Sequence, residues 1–315
     1  MSTKHTPRRL DHLVLPVADV DIARSRYEKL GFTVAPTGVH PFGTENCCVF
    51  FEDETFLEPI AIAQRETCEA AALAGNTFVA NDQTYRFRRG NEGFSHLVLK
   101  SDDAAADKTL YEATGLDGGD MVHFSRAFST PDGQSGEVSF ELAFAGDQRA
   151  PDAQFFTCQV LNAPKVDRSA LQAHANGVVG LKEVILSEPN PTDFQYFFQT
   201  YLNQRHMDVD SFGMSFTTHG GVEGAQVSVY SPDGMRAFFG MDTERDERGL
   251  RFEAFILAVT DLSATRTLLV ANSVAFDELR GRIVVRPPED EAAGQATGSN
   301  HGTGQGTTMI FEEVA

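Results

Sequence analysis

Leu10-Asp11-His12-Leu13-Val14-Leu15-Pro16-Val17-Ala18-Asp19 reads as a short apolar strand running into an acidic residue. The pattern returns as Phe94-Ser95-His96-Leu97-Val98-Leu99-Lys100-Ser101-Asp102, Leu181-Lys182-Glu183-Val184-Ile185-Leu186-Ser187-Glu188 and Phe252-Glu253-Ala254-Phe255-Ile256-Leu257-Ala258-Val259-Thr260-Asp261. Such recurrence decides architecture before any local reading does. Asp19, Asp102 and Asp261 stand where a helix N-cap accepts backbone N–H groups. Apolar residues at three- and four-residue steps follow, as in Phe194, Phe197, Phe198 and Tyr201, and Gly31 and Gly115 suit helix C-termini.

Each helix leads into β-rich sequence. Strands are expected near residues 32–36, 46–51 and 55–62 in the first copy, and 121–129, 136–145 and 154–161 in the second. In the third copy they fall near 226–230 and 235–241, and in the fourth near 275–279, 282–285 and 308–313. The turns Thr130-Pro131-Asp132-Gly133 and Ser231-Pro232-Asp233-Gly234 punctuate them. The fold expected is α+β: four tandem βαβββ units, paired over residues 9–163 and 177–315 into two cup-shaped half-barrels. Residues 63–92 read as a helical link over the surface. Residues 287–307, rich in Gly, Glu, Thr and Pro, read as a mobile loop or a lid.

Composition excludes several functions. Lys and Arg total 26 against 45 Asp and Glu, a net charge of −19. Nucleic-acid binding and docking on an anionic membrane both need the opposite sign. No apolar run approaches the ~20 residues that span a bilayer, and the N-terminus lacks the apolar region of a signal peptide. Cys47, Cys48, Cys68 and Cys158 form no CxxC pair, which fits reduced thiols and a cytoplasmic location. Tryptophan is absent and Phe numbers 25, so much of the aromatic core is Phe.

Tandem βαβββ units resemble the vicinal oxygen chelate superfamily, which includes glyoxalase I and the extradiol dioxygenases. Leu10-Asp11-His12, His40-Pro41-Phe42-Gly43-Thr44-Glu45-Asn46 and Phe56-Leu57-Glu58 are similar to its glyoxalase-like domain proteins. So are Phe124-Ser125-Arg126, Phe155-Phe156-Thr157-Cys158-Gln159 and His174-Ala175-Asn176-Gly177. The resemblance implies a cup holding a divalent metal that binds two adjacent oxygens of a small substrate. It implies lyase or isomerase chemistry, with an Fe(II) dioxygenase or a metal-free binding protein as alternatives.

The residues supply ligands for such a centre. His12 and His96 occupy equivalent positions; Glu58 follows the first by 46 residues and Glu141 the second by 45. Mixed N/O ligation of this kind suits Zn, Fe, Mn, Co or Ni. Glu141 is also the candidate general base. Strand order favours Gln159 over Glu141 for the fourth position; members of the group often carry a His just after the Cys-Gln pair, where this chain has Val160. His40, Asn46 and Arg126 are candidates for substrate binding, Arg126 through a substrate carboxylate. In the C-terminal pair Glu183 and Ala254 replace the histidines, so no second metal is expected there, and Phe238, Phe239, Phe252 and Phe255 are available to fill that cup. A complete site within one chain is compatible with a monomer or a homodimer.

Overall fold

The computed structural model describes residues 6–129, 135–162, 167–222, 224–288 and 302–314. The turn expected at 130–133 and most of the expected 287–307 loop, His301 included, lie outside the described residues. The first half runs β1 (Leu10–Pro16), α1 (Val20–Lys29), β2 (Gly38–Val39), β3 (Thr44–Asn46), β4 (Val49–Phe50), β5 (Phe56–Ile62), α2 (Arg65–Leu73), α3 (Thr77–Arg89), β6 (His96–Lys100), α4 (Ala104–Thr114), β7 (Val122–Ser129), β8 (Ser135–Ala145) and β9 (Gln154–Val160). After α5 (Ser169–Gln172) come β10 (Val178–Ser187), α6 (Gln195–Tyr201), β11 (Asp208–Val209), β12 (Gly213–Thr217), β13 (Gln226–Tyr230), α7 (Pro232–Phe239), β14 (Arg251–Val259), α8 (Leu262–Ala271), β15 (Asp277–Leu279), β16 (Arg282–Val285) and β17 (Thr308–Glu313).

The strands form two sheets with one topology. The first runs β2-β3-β5-β1-β6-β9-β8-β7 and the second β11-β12-β13-β10-β14-β17-β16-β15. In each unit the first strand pairs parallel with the last, as β1 with β5 and β6 with β9, and the two first strands meet antiparallel at the centre. This is the expected pair of cups. Asp19 and Asp261 cap α1 and α8, whereas α4 is capped by Asp103 rather than Asp102. Gly115 ends α4 at φ 73°, where a side chain would be strained.

Three expectations are corrected. Residues 32–36 form no strand; the edge is built from β2 and β3 instead. Residues 235–241 are largely helix. Ser231 takes the N-cap and accepts from Gly234 N–H, and Pro232 occupies the first turn, where its missing N–H costs nothing. The last strand of the third unit is therefore β13. Residues 63–92 are helical, as expected, but α2 and α3 do not merely cross the surface: Cys68, Phe78 and Val79 pack into the first cup.

The outer faces of both sheets share one core. Leu13, Leu97 and Phe155 from the first sheet and Val184, Phe252 and Phe255 from the second join Tyr27, Tyr111, Phe197 and Leu269 from the helices between. Phe94 stacks on Phe252 with ring centroids 4.3 Å apart. The Tyr201 hydroxyl, buried, donates to the Leu97 and Phe156 carbonyls at 2.6 and 2.9 Å. The linker adds His174, bonded to Thr33 N and the Phe50 carbonyl, and Asn176, which donates to the Leu30 carbonyl. Among the described residues no helix is long and apolar enough to cross a membrane.

Candidate metal centre

Register places the donors. Val14 pairs with Glu58 on one side and His96 on the other. His12, two residues earlier, shares the face of Val14 because strand side chains alternate with period two. This inner face also carries Val98, Ile60, Phe156 and Cys158. His12, Glu58 and His96 thus stand on three adjacent strands of one surface.

Each histidine is oriented by the residue before it. Asp11 Oδ2 lies 2.7 Å from His12 Nδ1, and Ser95 Oγ lies 2.7 Å from His96 Nδ1. Both rings therefore keep Nε2 for the cup, the arrangement by which a polar neighbour sets the orientation of a ligating imidazole. The sequence reading missed Asp11 and Ser95; their signal was a polar residue at the same offset before each equivalent histidine. Phe56 stacks on His12 at 4.3 Å and Phe78 on His96 at 5.5 Å.

Glu58 sits between polar neighbours. Its Oε2 is 3.4 Å from His12 Nε2; its Oε1 accepts from Asn46 Nδ2 at 2.6 Å and lies 3.8 Å from His40 Nε2. Burial alone would raise its pKa, but the His12 hydrogen bond and charge prevail and hold it down at about 2. Burial likewise opposes protonation of His12, yet hydrogen bonds to Asp11 and Glu58 push its pKa up to about 9. His96 and His40 go the other way: burial pushes them down to about 3 and about 4, leaving both neutral.

One observation above others bears on whether these residues suit a divalent metal. His96 is 0% exposed and its Nε2 has no hydrogen-bond partner. A buried, orphaned ring nitrogen is costly unless something is meant to meet it. Among the described residues no three His, Cys, Asp or Glu side chains already stand at the spacing of a closed metal cage. Here Glu58 is turned to His12 and Asn46, and the shared face rather than a finished cage relates it to His96.

Glu141 is not in this group. Leu142 and its partner Cys158 face the cup, so the adjacent pair Glu141 and Gln159 point outward. Glu141 contacts His123 Nδ1 at 3.0 Å, and Gln159 bonds to Ala104 N and the Asp102 carbonyl at the start of α4. Both are thereby excluded as fourth ligand, and Glu141 as base. The position equivalent to Glu58 is Phe156, which pairs with Val98 as Glu58 does with Val14. Its ring lies edge-on to His12 and His96, at 5.8 and 5.6 Å. Glu141→Gln should accordingly leave divalent metal affinity unchanged in equilibrium dialysis; a tenfold loss would return Glu141 to the centre.

Around the donors, His40 Nδ1 is 2.9 Å from Thr44 Oγ1 and its ring stacks on Phe42. Arg126 lies over the Phe140 ring at the rim. A cavity of about 270 Å³ lies elsewhere, at the seam between the halves, near Tyr85, Arg89, Asp152, Arg251, Phe252 and Glu253. Among the described residues it offers no histidine or cysteine, and Asp152 is already paired with Arg88 and Arg251. The oriented imidazoles and Glu58 stand instead on the inner face of the first cup.

The second cup has lost this set. Ile185 pairs with Ser228 and Ala254 where Val14 pairs with Glu58 and His96. Glu183, at the His12 position, accepts from the Tyr230 hydroxyl at 2.9 Å. Glu312 is held by Lys182 and Arg282. Met235 and Phe239 of α7 fill the inner face; Phe252 and Phe255, also expected there, belong to the shared outer core instead.

No curated protein matches the chain in sequence. Solved structures share its fold at low identity. A hypothetical protein from Staphylococcus aureus is 12% identical with a TM-score of 0.61, covering 97% of this chain and 99% of that one. A mutant of 4-hydroxymandelate synthase from Streptomyces coelicolor is 13% identical with a TM-score of 0.54, covering 98% and 93%. The Mn(II)-bound glyoxalase from Novosphingobium aromaticivorans is 10% identical with a TM-score of 0.51, covering 98% and 82%. The family model described as "Glyoxalase-like domain" matches residues 10–202, from β1 through α6. With most of the chain inside that match and paired βαβββ cups throughout, the chain belongs to the glyoxalase-like domain family of the vicinal oxygen chelate superfamily.

Proposed function

We propose that the N-terminal cup is a metal-dependent centre acting on a small substrate through two adjacent oxygens. The observation that carries this is the buried, unpartnered Nε2 of His96 on the same face as His12 and Glu58. Those three side chains would hold a divalent ion. When bound, it would polarise the chelated substrate oxygens as a Lewis acid.

The chain's own residues do the rest. Asp11 and Ser95 hold the imidazoles in orientation, and Asn46 fixes one Glu58 oxygen. Phe56, Phe78 and Phe156 keep water from the donors. With Glu141 outside the cup, His40 is the group placed to move a proton. It is neutral, and when Nδ1–H donates to Thr44 its Nε2 is the acceptor facing Glu58. This supports lyase or isomerase chemistry first. Phe156 favours a second reading: without a fourth protein ligand, two histidines and one carboxylate resemble the facial triad of Fe(II) oxygenases.

Titration of Mn²⁺ and Fe²⁺ into metal-free protein tests the centre; one ion per chain is expected, and none would leave a metal-free binding protein. Oxygen uptake with a catechol by the Fe²⁺-loaded protein separates the two chemistries.

The metal-free protein carries its own pH signature. His12 is raised from 6.5 to about 9, so its contribution to stability is full below 6.5 and lost as pH rises through about 9. Glu58 is lowered to about 2, so its contribution is present above 4.5 and lost only as pH falls through about 2. Urea midpoints should fall between pH 6.5 and about 9 in the wild type more than in His12→Gln. Parallel curves would show that His12 is not held as an imidazolium.

A further inference from the structure

Arg126 lies on β7, one edge of the first sheet, and Gly38 lies on β2, the other edge. Phe124 and Phe140 show that this end of β7 turns its even-numbered residues to the inner face. The edges meet at this residue pair. A Cβ built on Gly38 would lie 2.5 Å from Arg126 Nη1 and 2.7 Å from Asn46 Oδ1. Only a residue without a side chain leaves the guanidinium that place. Asn46 in turn donates to Glu58, so Arg126, Asn46 and Glu58 form a line from rim to centre. The charge of Arg126 is felt by His40, Cys48 and Cys158, which sets it over the cup.

In a chain with 19 more acids than bases, this cation has no carboxylate partner among the described residues; besides its approach to Gly38 it lies over the Phe140 face, 5.6 Å away. Phe42, Phe78, Phe124, Phe140 and Phe156 belong to the packed inner face that carries the donors, their rings in mutual contact. We infer that the substrate is a carboxylic acid with an apolar, aromatic-sized body, its carboxylate bound by Arg126 and its body lying among the Phe rings. A planar guanidinium that no protein acid claims matches a carboxylate in two parallel hydrogen bonds. The inference rests on the cup being the substrate site, but it needs no metal.

The test uses the full-length, metal-free chain and two shape-matched probes, benzoate and benzamide, followed by calorimetry. Wild type should bind benzoate about 10–100-fold more tightly than benzamide, the range a charge-assisted hydrogen-bond pair supplies. Arg126→Ala should remove that preference and leave benzamide binding unchanged, and Arg126→Lys should restore part of it. Gly38→Ala, which pushes the guanidinium aside, should weaken benzoate in the wild type and change nothing in Arg126→Ala. Equal or absent binding of the two probes to wild type would overturn the inference, as would an undiminished benzoate preference in Arg126→Ala. If Arg126→Ala does not fold, Gly38→Ala and Arg126→Lys decide by the same criterion. Mn²⁺ titration of the same samples reports on the metal separately, so either reading can fail without the other.

Discussion

The double change His12→Ala, His96→Ala is expected to abolish retention of a divalent metal, read as ions per folded chain after dialysis. Two of the three proposed donors are removed; loss of even an outer hydrogen bond to a ligand typically weakens metal binding about 10–100-fold. The two substitutions should differ structurally. His96 Nε2 has no partner to lose, so the cost of His96→Ala is its stack on Phe78 and the Ser95 contact. His12 stands between Asp11 and Glu58. Removing it leaves buried carboxylates without their shared cation, a change that costs about 3–5 kcal/mol when a buried pair is broken from one side. His96→Ala alone is therefore the cleaner probe, and it should already cut metal affinity at least tenfold. Stoichiometric metal in the double variant would remove the centre from this cup.

The repeat and the equivalent placement of His12 and His96 on one face were legible because each leaves a local mark: an apolar run, an acid at the helix start, and a histidine at one offset in two copies. What failed depended on register and loop length. Glu141 follows His96 by nearly the distance that separates Glu58 from His12, but β8 is eleven residues long and the parallel partner of β6 is β9. Spacing matched while both strand and face were wrong. Ser231-Pro232-Asp233-Gly234 reads equally as a β-turn or as a capped helix start, and tertiary packing of Met235 and Phe239 selects the helix. That α2 and α3 cover the inner face could not be read from their Ala-rich and polar composition, because few of their side chains, Cys68, Phe78 and Val79 with Ala71 and Ala72, pack into the cup. Phe156 as the fourth corner was hidden for the same reason: nothing in one sequence marks a Phe as standing in a ligand's place.

Phe239→Ala is expected to destabilise the protein by about 3–5 kcal/mol, the usual range for truncating a buried Phe, while leaving metal content per folded chain unchanged. The ring is 2% exposed and closes the inner face of the second cup against Ile185, Ala254 and Ile310. It also meets Tyr230 edge-on at 5.3 Å and lies under Arg282 at 5.8 Å, so the variant loses aromatic and cation–π contacts as well as area. No donor of the first cup touches it. The loss should nevertheless be felt by the whole chain, because the outer faces of both sheets share one core, with Phe94 stacked on Phe252 and Tyr201 bonded to Leu97 and Phe156. Urea unfolding followed by circular dichroism should show one transition moved to lower concentration, not a new early step confined to one half. A two-step curve would show that the halves fold independently. Unchanged stability with lost metal would place the centre in the C-terminal cup, where Glu183, Ser228, Ala254 and Ile310 now stand at the positions of His12, Glu58, His96 and Phe156.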